Sequence, residues 1–182
     1  HKEYRRQRQM CIRDRFHSAS VVRVADAKPV QLGHVHQADG RWRLYAFADA
    51  AGLSAGSPLH SLIEFLDEDP QSPVRLFTPE GADRDAVFDV RFILQQQHRD
   101  VDLNALPAFT QPRIGRFGLK DYEKVFSAER TNGLLLGQIP GLQADRDLYD
   151  LRGVDRERGA LVVVRPDQYI ACLLYTSPSP RD

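Results

Sequence analysis

Cysteine is almost missing from this sequence: there are two in 182 residues, Cys11 and Cys172, each close to an end. The long stretch between them holds no thiol. That excludes a disulfide framework, a thiolate metal site, a cysteine nucleophile and a C-x-x-C redox pair there. An excess of charge of either sign is missing too. Lys plus Arg is 25 and Asp plus Glu is 25, a formal net charge of zero, which argues against a nucleic-acid binder or a polybasic membrane binder. No apolar run approaches the roughly 20 residues that span a bilayer, and the basic start lacks the apolar core of a secretory signal. The chain reads as cytoplasmic. Several short motifs are also absent: G-x-G-x-x-G, the phosphate-cradling G-x-x-x-x-G-K-[ST], H-E-x-x-H and N-x-[ST]. Gly115 and Gly118 are the nearest glycine cluster, and their spacing is wrong for a dinucleotide loop.

What is present is ordinary for one globular domain. Hydrophobic residues make up 42% of the chain and charged residues 27%. The two ends differ from the rest. Residues 1–15 (HKEYRRQRQMCIRDR) show neither a helical nor a strand period, and residues 172–182 (CLLYTSPSPRD) are mostly turn formers after a short apolar stub. Both resemble translated sequencing-adapter read-through, so the expected division is a non-native tail at 1–15, a domain at 16–171 and a second non-native tail at 172–182. Both tails are expected to be poorly packed. The tails hold seven Lys/Arg and three Asp/Glu, so the 156 residues between them carry 18 basic and 22 acidic groups, a formal net charge of −4.

Along the body, Ser18 to Gly33 is an opening segment in which Pro29 limits any long strand. Ala38-Asp39-Gly40 is a turn. Trp42 to Ala48 (WRLYAFA) reads as a short, largely buried strand. Ser57 and Pro58 open a helix as N-cap and first residue, with Leu59, Leu62, Ile63 and Leu66 on its buried face. Val74 to Phe77 is a possible short strand. Val87 to Leu94 (VFDVRFIL) is the clearest strand, and its Asp89 and Arg91 imply one wet face. Asp100 to Leu106 is irregular or a short helix, Tyr122 to Phe126 a strand, Thr131 to Asp147 a glycine-containing loop, and Leu148 to Leu151 part of a helix. Ala160 to Val164, the Pro166-Asp167 turn and Tyr169 to Ala171 form a hairpin. Alternating strands and helices before a terminal hairpin predict a mixed α/β sandwich.

Candidate chemistry is sparse. The body has five histidines, His17, His34, His36, His60 and His98. Only His34 and His36 are close, and on a strand they would share a face. With no third ligand nearby, exposed or hydrogen-bonded histidines beside a turn explain them better. Asp83 with Asp85, and Asp145 with Asp147, read as solvated loop carboxylates. Ser18, Ser54, Ser57 and Ser127 lack a nucleophile elbow, and Trp42 reads as core. No catalytic, cofactor-binding or metal residue is assigned.

Four stretches carry a family resemblance: FHSASVVRVADAKPVQLGH (Phe16 to His34), ADGRWRLYAFAD (Ala38 to Asp49), DYEKVF (Asp121 to Phe126) and GVDRERGALVVVRPDQYIA (Gly153 to Ala171). Together the body resembles the C-terminal domain of phenol 2-monooxygenases and 3-hydroxybenzoate 4-monooxygenases. RGALVVVRPDQY, Arg158 to Tyr169, is the most specific piece. The resemblance implies a thioredoxin-like mixed sheet with flanking helices, without C-x-x-C, that stops before the closing C-terminal helix. It implies a structural and dimerisation domain with no catalytic site of its own. The parent enzyme would be a homodimer using FAD and NADPH, with the flavin and substrate domains upstream and no nucleic-acid or membrane partner. The alternative is a stand-alone thioredoxin-like binding or adaptor domain without redox activity.

Overall fold

The computed structural model describes residues 15–16, 18–129 and 147–174. His17, Asp145, Cys11 and the loop expected at 131–147, apart from Asp147, lie outside the described residues. The chain opens with a hairpin, β1 (Ser20–Arg23) and β2 (Lys28–Gln31), followed by a single turn of helix, α1 (Leu32–Val35). Pro29 sits in β2 at the sheet edge, where its missing N–H removes no ladder bond from a central strand. β3 (Trp42–Phe47) leads through a loop to α2 (Pro58–Glu68) and α3 (Pro73–Phe77), then to β4 (Phe88–Leu94). A two-stranded hairpin, β5 (Arg113–Ile114) and β6 (Leu119–Lys120), precedes β7 (Val125–Ser127). The last elements are α4 (Leu148–Arg152), β8 (Ala160–Val164) and β9 (Ile170–Leu174).

Seven strands form one sheet in the order β2-β1-β7-β4-β3-β8-β9. β3 and β4 are parallel, as are β4 and β7; the other pairs are antiparallel. Parallel neighbours need a crossover, and α2 supplies it between β3 and β4. A βαβ unit followed by a β8–β9 hairpin on the β3 side is the strand arrangement of a thioredoxin-like sheet, extended here by β7, β1 and β2.

The sheet has a core on each face because side chains alternate across it. Tyr45, Phe47, Ile93, Phe126, Val162 and Val164 face the first core, with Leu148 and Tyr149 from α4. The buried Tyr149 hydroxyl donates to the Ala48 carbonyl at 2.7 Å, with the Ile93 carbonyl 2.9 Å away. Leu44, Ala46, Val90, Phe92 and Leu94 face the second core, beneath Leu59, Ile63 and Leu66 of α2. Ser57 caps α2 as expected, its hydroxyl accepting from the His60 N–H at 3.1 Å. Leu62, expected on the buried face, is only half-buried at the margin. Truncating Leu66 to alanine therefore lowers stability by about 2–5 kcal/mol, and Leu62→Ala by clearly less, in urea unfolding. Equal losses from Leu66→Ala and His60→Ala would mean that α2 presents another face.

Three expectations are corrected here. Val74 to Phe77 is helix, not strand: Ser72 accepts from the Arg75 N–H, and Pro73 follows it, repeating the Ser57-Pro58 start. The strand expected from Tyr122 begins only at Val125. The return strand runs past Ala171 through Cys172, Leu173 and Leu174, which pair with β8 instead of forming a loose tail. Backbone pairing is largely indifferent to side chains, and Leu173 packs on the first core. At the other end, Arg15 bridges Tyr169. Of the two alternating sets on β8, Val162 and Val164 are buried; Leu161 and Val163 are half-buried on the second core.

Candidate functional site: a buried charge ring and the surfaces around it

Asp89 and Arg91 belong to a strand face that the sequence marks as wet, and Arg43 is the single charge on a strand that reads as largely buried; Arg43 and Asp89 are 0% exposed and Arg91 is buried. Register explains why. Arg43 on β3 stands directly opposite Asp89 on β4, and Arg43 Nε lies 2.8 Å from Asp89 Oδ2. Arg91 approaches the same oxygen at 2.7 Å. Lys124, just before β7, reaches Asp89 Oδ1 and Asp85 Oδ2, both at 2.6 Å, and Asp121 at 3.1 Å. Asp85 also accepts from Arg41 at 2.8 Å. Asp39 closes the ring, accepting from Arg41 at 2.8 Å and from both Arg43 terminal nitrogens at 2.7 and 3.0 Å. Four basic and four acidic groups thus balance beneath the starts of β3 and β4. Such a network is costly to desolvate, and removing one of its partners is costlier still because it leaves buried charge uncompensated.

The ring sets its own pH response. Burial alone raises the Asp39 carboxyl, but hydrogen bonds from Arg43 and Arg41 outweigh it and hold it well below the usual 3.8. Burial also opposes Asp89, and Arg91 and Lys124 prevail in lowering it. His36 is buried beside Arg43; burial first, then that guanidinium, push it below the usual 6.5. The unfolded chain therefore binds a proton near pH 6.5 that the folded His36 refuses, so stability falls as pH drops below that value. The two carboxylates contribute fully above 3.8 and lose that contribution as pH falls through and below it. Thermal melts should show two stages of acid loss, with His36→Gln removing only the upper one. A melting temperature unchanged between pH 7.5 and 5 would contradict this.

The sequence-level candidates have structural work. His34 and His36 fall in and just after α1, not on a strand, so they do not share a face. His98 Nδ1 lies 2.6 Å from Glu129 Oε1, and His60 pairs with Glu64 at 3.5 Å. Asp83 accepts from the Gly115 N–H. Asp85 is not solvated but held in the ring, and Asp147 caps α4 while binding Arg156. Among the described residues no group of His, Cys, Asp and Glu could hold a metal. The hydroxyls of Ser18, Ser54, Ser57 and Ser127 donate to Gln31, Ala51, Gly52 and Gln96 respectively, none to a histidine. The β3–α2 loop does not suit a flavin pyrophosphate: Ser57 already caps α2, Pro58 has no N–H, and Gln96 packs against Gly52 where a phosphate would need room.

Sequence reasoning missed the surface. Leu76 and Phe77 on α3 are 60% and 62% exposed. Phe77 touches Phe88 at 6.2 Å between ring centroids, and Phe88 touches Trp42 at 6.5 Å. This aromatic row lies on the opposite sheet face from the ring, and its strand residues are adjacent in sequence to Arg43 and Asp89. Arg152 caps another stack: it lies over Phe16 at 4.9 Å, and Phe16 stacks on Tyr45 at 4.2 Å. Burial pushes the Arg152 guanidinium down to about 10. Among the described residues no helix is long and apolar enough to cross a membrane.

Comparison with known proteins follows the same outline. A 3-hydroxybenzoate 4-monooxygenase of Comamonas testosteroni is 53% identical over 161 residues, 88% of this chain and 24% of that protein. An FAD-dependent monooxygenase, terD, of Aspergillus terreus is 33% identical over 161 residues, 88% of this chain and 25% of that protein. The chain thus spans about a quarter of the length of these relatives. A solved structure from the Sco family of cytochrome c oxidase assembly proteins covers 92% of this chain and 87% of its own at a TM-score of 0.46 and 10% identity, too distant to bear on function. The sequence pattern of the phenol hydroxylase C-terminal dimerisation domain matches residues 3–178, and the chain belongs to that family.

Proposed function

We propose that this chain is the C-terminal dimerisation module of a cytoplasmic aromatic-ring monooxygenase that uses FAD and NADPH. Upstream flavin and substrate domains of the parent perform the chemistry, and the module supplies no catalytic residue. The carrying observation is the 53% identity to a 3-hydroxybenzoate 4-monooxygenase over a quarter of that protein's length. The absence of a C-x-x-C pair from the whole sequence supports a structural rather than a redox role. The contact surface we assign is Leu76 and Phe77, backed by Phe88 and Trp42. Aromatic side chains anchor interfaces well when their own positions are fixed, and the ring fixes the strands that carry Trp42 and Phe88.

Purified chain is expected to carry no flavin and to drive no NADPH oxidation with phenol or hydroxybenzoates. Flavin retained at one per chain through gel filtration would overturn the assignment of flavin chemistry to the upstream domains.

A further inference from the structure

The β5–β6 hairpin contains an arrangement that is unfavourable on its own. Arg113 and Lys120 are direct cross-strand partners. Both line one cavity, so their side chains lie on the same face. Like charges directly opposite each other on a two-stranded ribbon repel, and neither cation has an ion-pair partner among the described residues. The Arg113 guanidinium donates to the Gly118 carbonyl at 2.9 Å. The carboxylate that touches the hairpin, Asp83, is engaged by the Gly115 N–H at 2.9 Å and does not line the cavity.

The cavity holds about 440 Å³, within the usual range for small-molecule sites. A third cation, Arg84, also lines it and is already paired with Asp67. Among the described residues its lining includes no carboxylate, and Asp26 and Glu123 of the adjoining cavity, which shares Lys120, are both held by Arg23. The rest is apolar or amide, with Leu103 and Leu106 beside Asn104 and Gln111. Gln111 is buried and locked by its Nε2 donating to the Leu103 carbonyl at 2.8 Å. Two cations without an ion-pair partner among the described residues, in a lining that is otherwise largely apolar, suit one class of ligand. The charge must be negative, and the body apolar enough to sit beside Leu103 and Leu106.

We propose that this cavity binds a small organic monocarboxylate with an apolar body, its carboxylate set between Arg113 and Lys120. This does not depend on the monooxygenase reading; it rests only on the charges and shape of this chain. Binding relieves the cross-strand repulsion, so ligand should stabilise the hairpin most.

The test is an amide NMR titration of the whole chain at fixed ionic strength, with benzoate as the probe and acetate and inorganic phosphate as controls. Benzoate should give saturable shifts at Asn104, Gly115 and Lys120. Acetate, which lacks the apolar body, should bind at least tenfold more weakly, and so should phosphate. Lys120→Gln with Arg113→Gln should weaken benzoate at least tenfold, whereas Lys120→Arg should keep it within about threefold. Both positions are exposed, so circular dichroism should be unchanged in all variants. Without ligand the double variant should melt no lower than the parent, because the repulsion is gone. Absence of saturable shifts, equal response to phosphate and benzoate, or full binding by the double variant would each overturn the proposal.

Discussion

Asp89→Ala is expected to be the most damaging single substitution in the sheet. It leaves Arg43, Arg91 and Lys124 buried around a missing carboxylate. Removing one partner of a buried ionic network typically costs about 3–5 kcal/mol. A domain of this size has about 5–15 kcal/mol of net stability, so much of the population should unfold at physiological temperature. Asp89→Asn keeps the shape and one acceptor oxygen and should lose less. The companion substitution Lys124→Met leaves Asp85, Asp89 and Asp121 facing one another. Combined with Asp89→Asn it should cost less than the sum of the two single changes, because each removes part of the other's unpaired charge. Urea unfolding measures all four proteins. A loss below about 1 kcal/mol for Asp89→Ala would place the carboxylate in water and refute the ring.

Much of the fold was legible because local composition and tertiary need agree there. WRLYAFA and GALVVV read as buried strands and are buried strands, and Ser57-Pro58 starts α2 where it should. Val74 to Phe77 failed because four residues, three of them apolar, cannot distinguish strand from helix by period; the Ser72-Pro73 cap was the available signal. The ring failed for a different reason. Asp89 and Arg91 alternate with apolar residues as a solvated face would, and only pairing with Arg43 on β3 and Lys124 near β7 makes that face dry. Those partners lie 46 and 35 residues from Asp89 in sequence, beyond any local pattern. Gly115 and Gly118 were visible as glycines, but they turn a hairpin with φ of 70° and 58° rather than cradle a phosphate. The Arg113–Lys120 pair follows from that turn and needs its register to be seen.

The dimerisation role predicts an all-or-none effect when the module is returned to an enzyme. The most direct test replaces the corresponding C-terminal quarter of the Comamonas testosteroni 3-hydroxybenzoate 4-monooxygenase with this chain, then measures sedimentation velocity and bound flavin together. The chimera should sediment as a dimer and retain flavin. With Leu76→Asp and Phe77→Asp added, it should sediment as a monomer at micromolar concentration with flavin still bound, because burying two carboxylates in an apolar contact abolishes it. A soluble, flavin-loaded chimera that stays monomeric with the unmodified module would contradict the account.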